Sequence, residues 1–117
     1  MSDFEINNRS INGLEIIELR GELDAHTAAQ LETALQKLIA LKNYKIIVNC
    51  HELEYISSAG LGVFMAYIED VRSLGGDIKL SNMSPKVYNV FDLLGFPTLY
   101  DILNDEADAI EQFNIKT

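Results

Sequence analysis

The chain has 117 residues, with 18 acidic side chains against 9 basic ones and a formal charge of −9. That length supports one hydrophobic core and not two, so residues 1–117 are expected to form a single domain. The acidic balance argues against nucleic acid or an anionic membrane surface as partner, because both select basic proteins. No apolar run approaches the roughly 18 residues of a membrane-spanning helix. The opening Met1-Ser2-Asp3-Phe4-Glu5 has neither the basic nor the apolar region of a signal peptide. A cytoplasmic protein without direct membrane insertion is therefore expected. The single cysteine, Cys50, permits no internal disulfide and no multi-cysteine metal site.

In chain order, Phe4–Ile11 and Leu14–Arg20 read as strands joined by Asn12-Gly13, a pair suited to a two-residue hairpin turn because both positions tolerate positive φ. After Gly21-Glu22-Leu23-Asp24, the spacing of Ala28, Leu31, Leu35 and Leu38 predicts a helix with one apolar face. Thr27 and Gln30 match a capping box at its start. Lys45–Cys50 carries the continuous run Ile46-Ile47-Val48, the pattern of a central strand covered on both faces.

A second helix is predicted from Leu61, Phe64, Ile68 and Val71, ended by Gly75-Gly76. Ile78–Leu80 is a short strand. The third helix has Ser84 as N-cap, Pro85 at its first position, inward Val87, Val90, Phe91 and Leu94, and Gly95 as the stop. Leu99–Leu103 reads as an edge strand. Asp105–Phe113 reads as a closing helix with Ile110 and Phe113 inward. Strands alternating with helices predict an α/β fold: a mixed, mostly parallel sheet of about four or five strands with an N-terminal β-hairpin, packed with about four helices.

Tyr55-Ile56-Ser57-Ser58-Ala59-Gly60-Leu61-Gly62 places two hydroxyls, both expected to be exposed, and two glycines at a strand-to-helix junction. A hydroxyl at a helix N-terminus can accept a phosphoryl group, and free N–H groups with the positive end of the helix dipole can then accommodate it. A nucleotide-binding loop fits less well, since Met65 occupies the third glycine position of a dinucleotide fingerprint and no Gly-Lys-Ser/Thr follows. The glycines are otherwise accounted for by a tight connection and close helix packing. A hydrolytic pair of Ser58 with His51, in a segment expected to run outward past the strand end, stays open on sequence alone. Asp24 is expected either to cap the first helix or to add to an acidic surface beside the serines. Neither His26 nor His51 has a metal-ligating neighbour at useful spacing, and no metal or cofactor is implied.

Gly21-Glu22-Leu23-Asp24-Ala25-His26-Thr27-Ala28, Ile47-Val48-Asn49, Ile56-Ser57-Ser58-Ala59-Gly60-Leu61-Gly62-Val63, Gly75-Gly76 and Phe91-Asp92-Leu93-Leu94-Gly95-Phe96 together resemble, in collinear order, the STAS domain of anti-sigma factor antagonists. The resemblance implies a non-enzymatic switch, monomeric when free. The unphosphorylated antagonist binds an anti-sigma factor with serine kinase activity and releases a sigma factor. Phosphorylation turns binding off, and a PP2C-type phosphatase restores it. The first serine of the family motif Asp-Ser-Ser-Gly-Leu-Gly falls on Ser58 by register, with Ser57 in place of the aspartate and Ala59 in place of the second serine. Ser58 is thus the expected phosphorylation site in preference to Ser57, with Asp24, Ser57, Ser58, Ala59, Gly60 and Leu61 as the expected partner-binding set. The alternative role is a stand-alone STAS subunit that binds a transporter or signalling scaffold without phosphorylation.

Overall fold

The computed structural model describes residues 4–115; residues 1–3 and 116–117, the ends of the expected domain, lie outside it. β1 (Glu5–Ile11) and β2 (Leu14–Leu23) pair antiparallel across Asn12 and Gly13, with φ of 48° and 84°. Positive φ at both central residues is the conformation whose twist matches a hairpin, as their side chains predict. Then come α1 (Ala28–Ala40), β3 (Lys45–Ile56), α2 (Ser58–Ser73), β4 (Asp77–Ser81), α3 (Pro85–Leu93), α4 (Phe96–Leu99), β5 (Ile102–Leu103) and α5 (Glu106–Ile115). The sheet order is β1-β2-β3-β4-β5, and every pair after the first is parallel.

Stepping along the sheet in one direction by right-handed crossovers puts the crossover helices on one face. There the strand residues Ile17, Leu19, Ile46, Val48 and Cys50 meet Leu31 and Leu35 of α1, Phe64 and Ile68 of α2, Phe91 of α3 and Phe96 of α4. α5 covers the other face through Ala109 and Phe113, packed on Leu14, Ile16 and Ile47. The continuous apolar run at Ile46-Ile47-Val48 is explained by this two-sided burial, and β3 is central as predicted.

Several boundaries and contacts differ from the sequence reading, and the first is that β2 runs on from Arg20 to Leu23. β3 continues past Cys50 to Ile56, so His51 lies within the strand. Two irregularities place extra β3 residues opposite β2, between Asn49 and Glu52 and between Leu53 and Tyr55, so the buried positions Cys50, Leu53 and Ile56 are spaced by three. A strict alternation pattern cannot detect such a strand. Thr27 does not form a capping box; its hydroxyl turns back to the Glu22 carbonyl. Leu94 is exposed, because α3 has ended and Gly95 (φ 76°) reverses the chain. The sequence spacing predicts no helix at Phe96–Leu99, yet Pro97 in its first turn restarts one, and the predicted edge strand Leu99–Leu103 shrinks to Ile102–Leu103.

Candidate functional site

The serine turn is built from the ends of β2 and β3 upward. Leu23 and Ile56 stand opposite each other in the sheet, and the Ser57 N–H donates to the Leu23 carbonyl at 2.9 Å. The Ser57 carbonyl then accepts the Leu61 N–H at 3.1 Å, the first turn of α2. Gly60 sits directly over this junction. A Cβ there would lie 2.8 Å from Leu23 Cγ and 3.0 Å from Ile56 Cγ1, closer than side chains pack. Close helix-to-strand approach therefore explains Gly60.

The two serines part at this point. Ser58, the first residue of α2, is exposed. Ser57 is the N-cap residue in extended conformation, yet its hydroxyl oxygen is buried, does not cap the helix and has no hydrogen-bond partner among the described residues. The sequence reading placed both hydroxyls at the surface; turning the chain from strand to helix sends that of Ser57 inward. No side chain caps α2 and no acidic residue occupies its first turn, so the backbone N–H groups at its start beside Ser58 carry no side-chain cap. Ala59 is half-buried next to it, whereas Gly60 and Leu61 face the core and shape the turn from beneath.

Asp24 lies on the neighbouring loop, just past Leu23. One of its carboxylate oxygens accepts the His26 N–H at 2.8 Å and the Thr27 N–H at 3.2 Å. Thr27 Oγ1 in turn donates to the Glu22 carbonyl and accepts the Asp24 N–H, at 2.8 and 2.9 Å. Asp24 thus fixes the turn into α1 while remaining partly accessible beside the serine turn. Glu22 stands opposite the exposed Tyr55 in the sheet and extends this acidic edge.

The body of α2 is anchored on both flanks. Tyr67 donates to Glu32 of α1 at 3.2 Å and accepts from Gln36 at 2.8 Å. Arg72 bonds Asp77 at 2.8 Å and the Leu99 carbonyl at 3.0 Å, with its guanidinium over the Tyr100 ring. The outward stripe Ser58, Gly62, Met65, Glu69 is left uncovered.

A Ser58–His51 pair does not form. At about 3.3 Å per residue, the extended stretch from His51 to Ile56 alone spans on the order of 16 Å. Among the described residues, no group of three or more His, Cys, Asp or Glu side chains is placed to hold a metal ion. Cys50 is fully buried, which pushes its thiol up to about 12 and keeps it protonated. No helix of the described residues is long and apolar enough to cross a membrane.

The STAS domain profile matches residues 5–109. The chain belongs to the STAS domain family. Among curated relatives, this STAS domain is 31% identical over 86 residues to the anti-sigma-B factor antagonist of Bacillus subtilis, covering 74% of this chain and 78% of that one. It is 24% identical over 114 residues to the anti-sigma F factor antagonist of Paenibacillus polymyxa, covering 97% of each. Among solved structures, unphosphorylated SpoIIAA, an anti-sigma factor antagonist, superposes with a TM-score of 0.79 at 26% identity, over 95% of this chain and 96% of that one. The phosphorylated form of SpoIIAA from Bacillus gives 0.71 at 25% identity, over 94% and 98%.

Proposed function

We propose that this STAS domain is an anti-sigma factor antagonist switched by phosphorylation of Ser58. In its unphosphorylated form it binds an anti-sigma factor with serine kinase activity and frees a sigma factor; the phosphoserine ends that binding, and a PP2C-type phosphatase restores it. The observation that carries the reading is the contrast at the turn: Ser58 is exposed at an uncapped helix N-terminus, while the Ser57 hydroxyl is buried. The relatives named as anti-sigma factor antagonists support it. Asp24, Ser57 and Ala59 flank the acceptor at the partner surface, with Gly60 and Leu61 supporting them from the core.

A phosphoserine adds about −1.5 to −2 charges. A unit like-charge contact at ~5 Å with an effective dielectric of ~20 costs on the order of 3 kcal/mol, which lowers affinity by about two orders of magnitude. The free α2 N-terminus offsets the same charge within the isolated domain, so the complex is lost and the fold is kept.

Incubation with the kinase and ATP, followed by phosphosite mapping by mass spectrometry, is expected to find phosphate on Ser58. Ser58→Asp should weaken kinase binding and Ser58→Ala should retain it. Phosphate on neither serine, with equal affinities for the two variants, would return the chain to the transporter- or scaffold-binding role.

A further inference from the structure

Where β4 leaves the sheet, polar atoms gather that the fold does not use. β4 ends at Ser81, opposite Asn49, while β2 and β3 run on beyond it. Asn82 then takes a left-handed conformation, φ 60°, which costs any residue but glycine and which asparagine tolerates best. Beside it opens a notch of about 280 Å³ lined by Glu18, Leu19, Asn49, His51, Glu52 and Asn82. One of the β3 irregularities falls at this level, between Asn49 and Glu52, and by breaking the alternation it lets the successive His51 and Glu52 share the notch. Two buried oxygens here have no hydrogen-bond partner among the described residues: Asn82 Oδ1 in the lining, and Oγ of the preceding, fully buried Ser81. Buried oxygens left unpaired are costly and uncommon.

Charge around the notch selects the occupant. Glu18 and Glu52 line it, and no lysine or arginine does. The guanidiniums that reach these carboxylates are shared: Arg9 serves both Glu18 and Glu106, and Arg20 reaches Glu5 at 3.4 Å and Glu52 only at 3.9 Å. Two cations thus answer four carboxylates. Among the described residues no group of three or more His, Cys, Asp or Glu side chains is placed to hold a metal ion. We infer that the notch is a binding site for a small aliphatic primary ammonium ion. An ammonium carries three divergent N–H donors and no acceptor, which suits acceptors supplied by three strands: Glu18 of β2, Glu52 of β3 and Asn82 Oδ1 just past β4. A guanidinium, planar and forked, suits a single carboxylate better. Glu18 and Asn49 follow Ile16 and Ile47 by two residues, which puts the notch on the face that α5 covers and away from the serine turn.

Titration of the purified chain with n-butylammonium chloride, followed by heteronuclear NMR, tests this. The backbone amides of Asn49, His51, Glu52 and Asn82 should shift saturably, with a Kd on the order of 1 mM for so small a ligand. Asn82→Gly keeps the left-handed backbone and removes the acceptor, so it should weaken binding about tenfold while leaving the Tm unchanged or higher. Glu52→Gln should weaken binding about threefold. Tetramethylammonium, which has the same charge and no N–H, and K⁺ should each bind about tenfold more weakly than n-butylammonium.

No saturable shift at these amides would overturn the inference and leave the two oxygens to ordered water. Shifts centred on Glu22 and Asp24 instead would overturn it too, as attraction to an acidic surface alone. Equal affinity for tetramethylammonium or K⁺ would do the same, because charge and not N–H donation would then drive binding. Unchanged affinity in Glu52→Gln would also sink the idea. If Asn82→Gly lowers the Tm, that side chain serves the turn, and Glu52→Gln alone decides. None of these outcomes bears on Ser58, so the ammonium site and the phosphoswitch stand or fall separately.

Discussion

The two faces of the sheet are closed by different physics. On the face carrying the serine turn, α1 to α4 are held by an apolar cluster running from Leu31 through Phe64, Phe91 and Phe96 to Tyr100, with the Phe91 and Phe96 rings edge-on at 5.1 Å. On the opposite face α5 has only a small cluster around Ile16, Ile47, Ala109 and Phe113. Charges supply the rest there. Lys79, fully buried, bonds Asp101 at 2.6 Å and Asp77 at 3.1 Å, and its ammonium lies over the Phe113 ring. Arg9 pairs with Glu106 at 2.5 Å and with Glu18 at 3.2 Å. The serine turn is mounted on the face whose stability is mostly non-directional packing. The α5 face depends on geometry and on protonation.

The sharpest test of that comparison removes its best-packed ring. Phe91→Ala should destabilise the domain by about 3–5 kcal/mol in urea unfolding, the range for truncating a buried aromatic. Lys79→Met should cost about 2–3 kcal/mol, less than the loss for a wholly buried pair because Asp101 is partly solvated and Asp77 keeps Arg72. If Lys79→Met cost as much as Phe91→Ala, the two faces would not differ as described.

Raising the pH probes the same contrast. Burial acts to lower the Lys79 pKa, but its hydrogen bonds to Asp101 and then Asp77 outweigh that and hold it above its ordinary 10.5. With the folded pKa raised, the unfolded chain loses this proton first, so the native state binds more protons and stability falls as pH rises past about 10.5. Tyr67 and Tyr100, raised mainly by burial, act with the same sign. The urea midpoint should therefore hold steady from neutral pH to about 9.5 and drop above 10.5, with a shallower drop in Lys79→Met. The smallest effect belongs to the surface pairs: Arg9→Gln should cost less than about 1 kcal/mol, because the Arg9 side chain is 40% exposed and water competes for it.

Much of the frame was legible along the chain because its signals are local. The Asn12-Gly13 turn, the Ser84-Pro85 start of α3, confirmed by the Val87 N–H bond to Ser84 Oγ, and the apolar stripe of α2 each depend on residues within a few positions of one another. The outer half of β3 was not legible, since its bulges break the alternation that marks a strand. The four-residue α4 was hidden for a related reason: a helix of one turn has no periodicity to read. At the candidate site, the exposed Ser58 at a helix start was visible in sequence. The inward turn of the Ser57 hydroxyl and the separation of His51 from Ser58 were not.

The sequence alone was enough for the order of elements apart from α4, the mostly parallel sheet with its opening hairpin, and a serine–glycine junction at the start of α2. Those follow from backbone preferences and hydrophobic spacing, which act over a few residues. What each residue of the junction faces is set by packing between elements distant in the chain. Gly60 meets Leu23 and Ile56 from two strands far apart in the chain, Gly62 meets nothing, and one of two adjacent serine hydroxyls is turned inside. Such distinctions depend on where distant segments come to rest against one another, a property that no local pattern encodes.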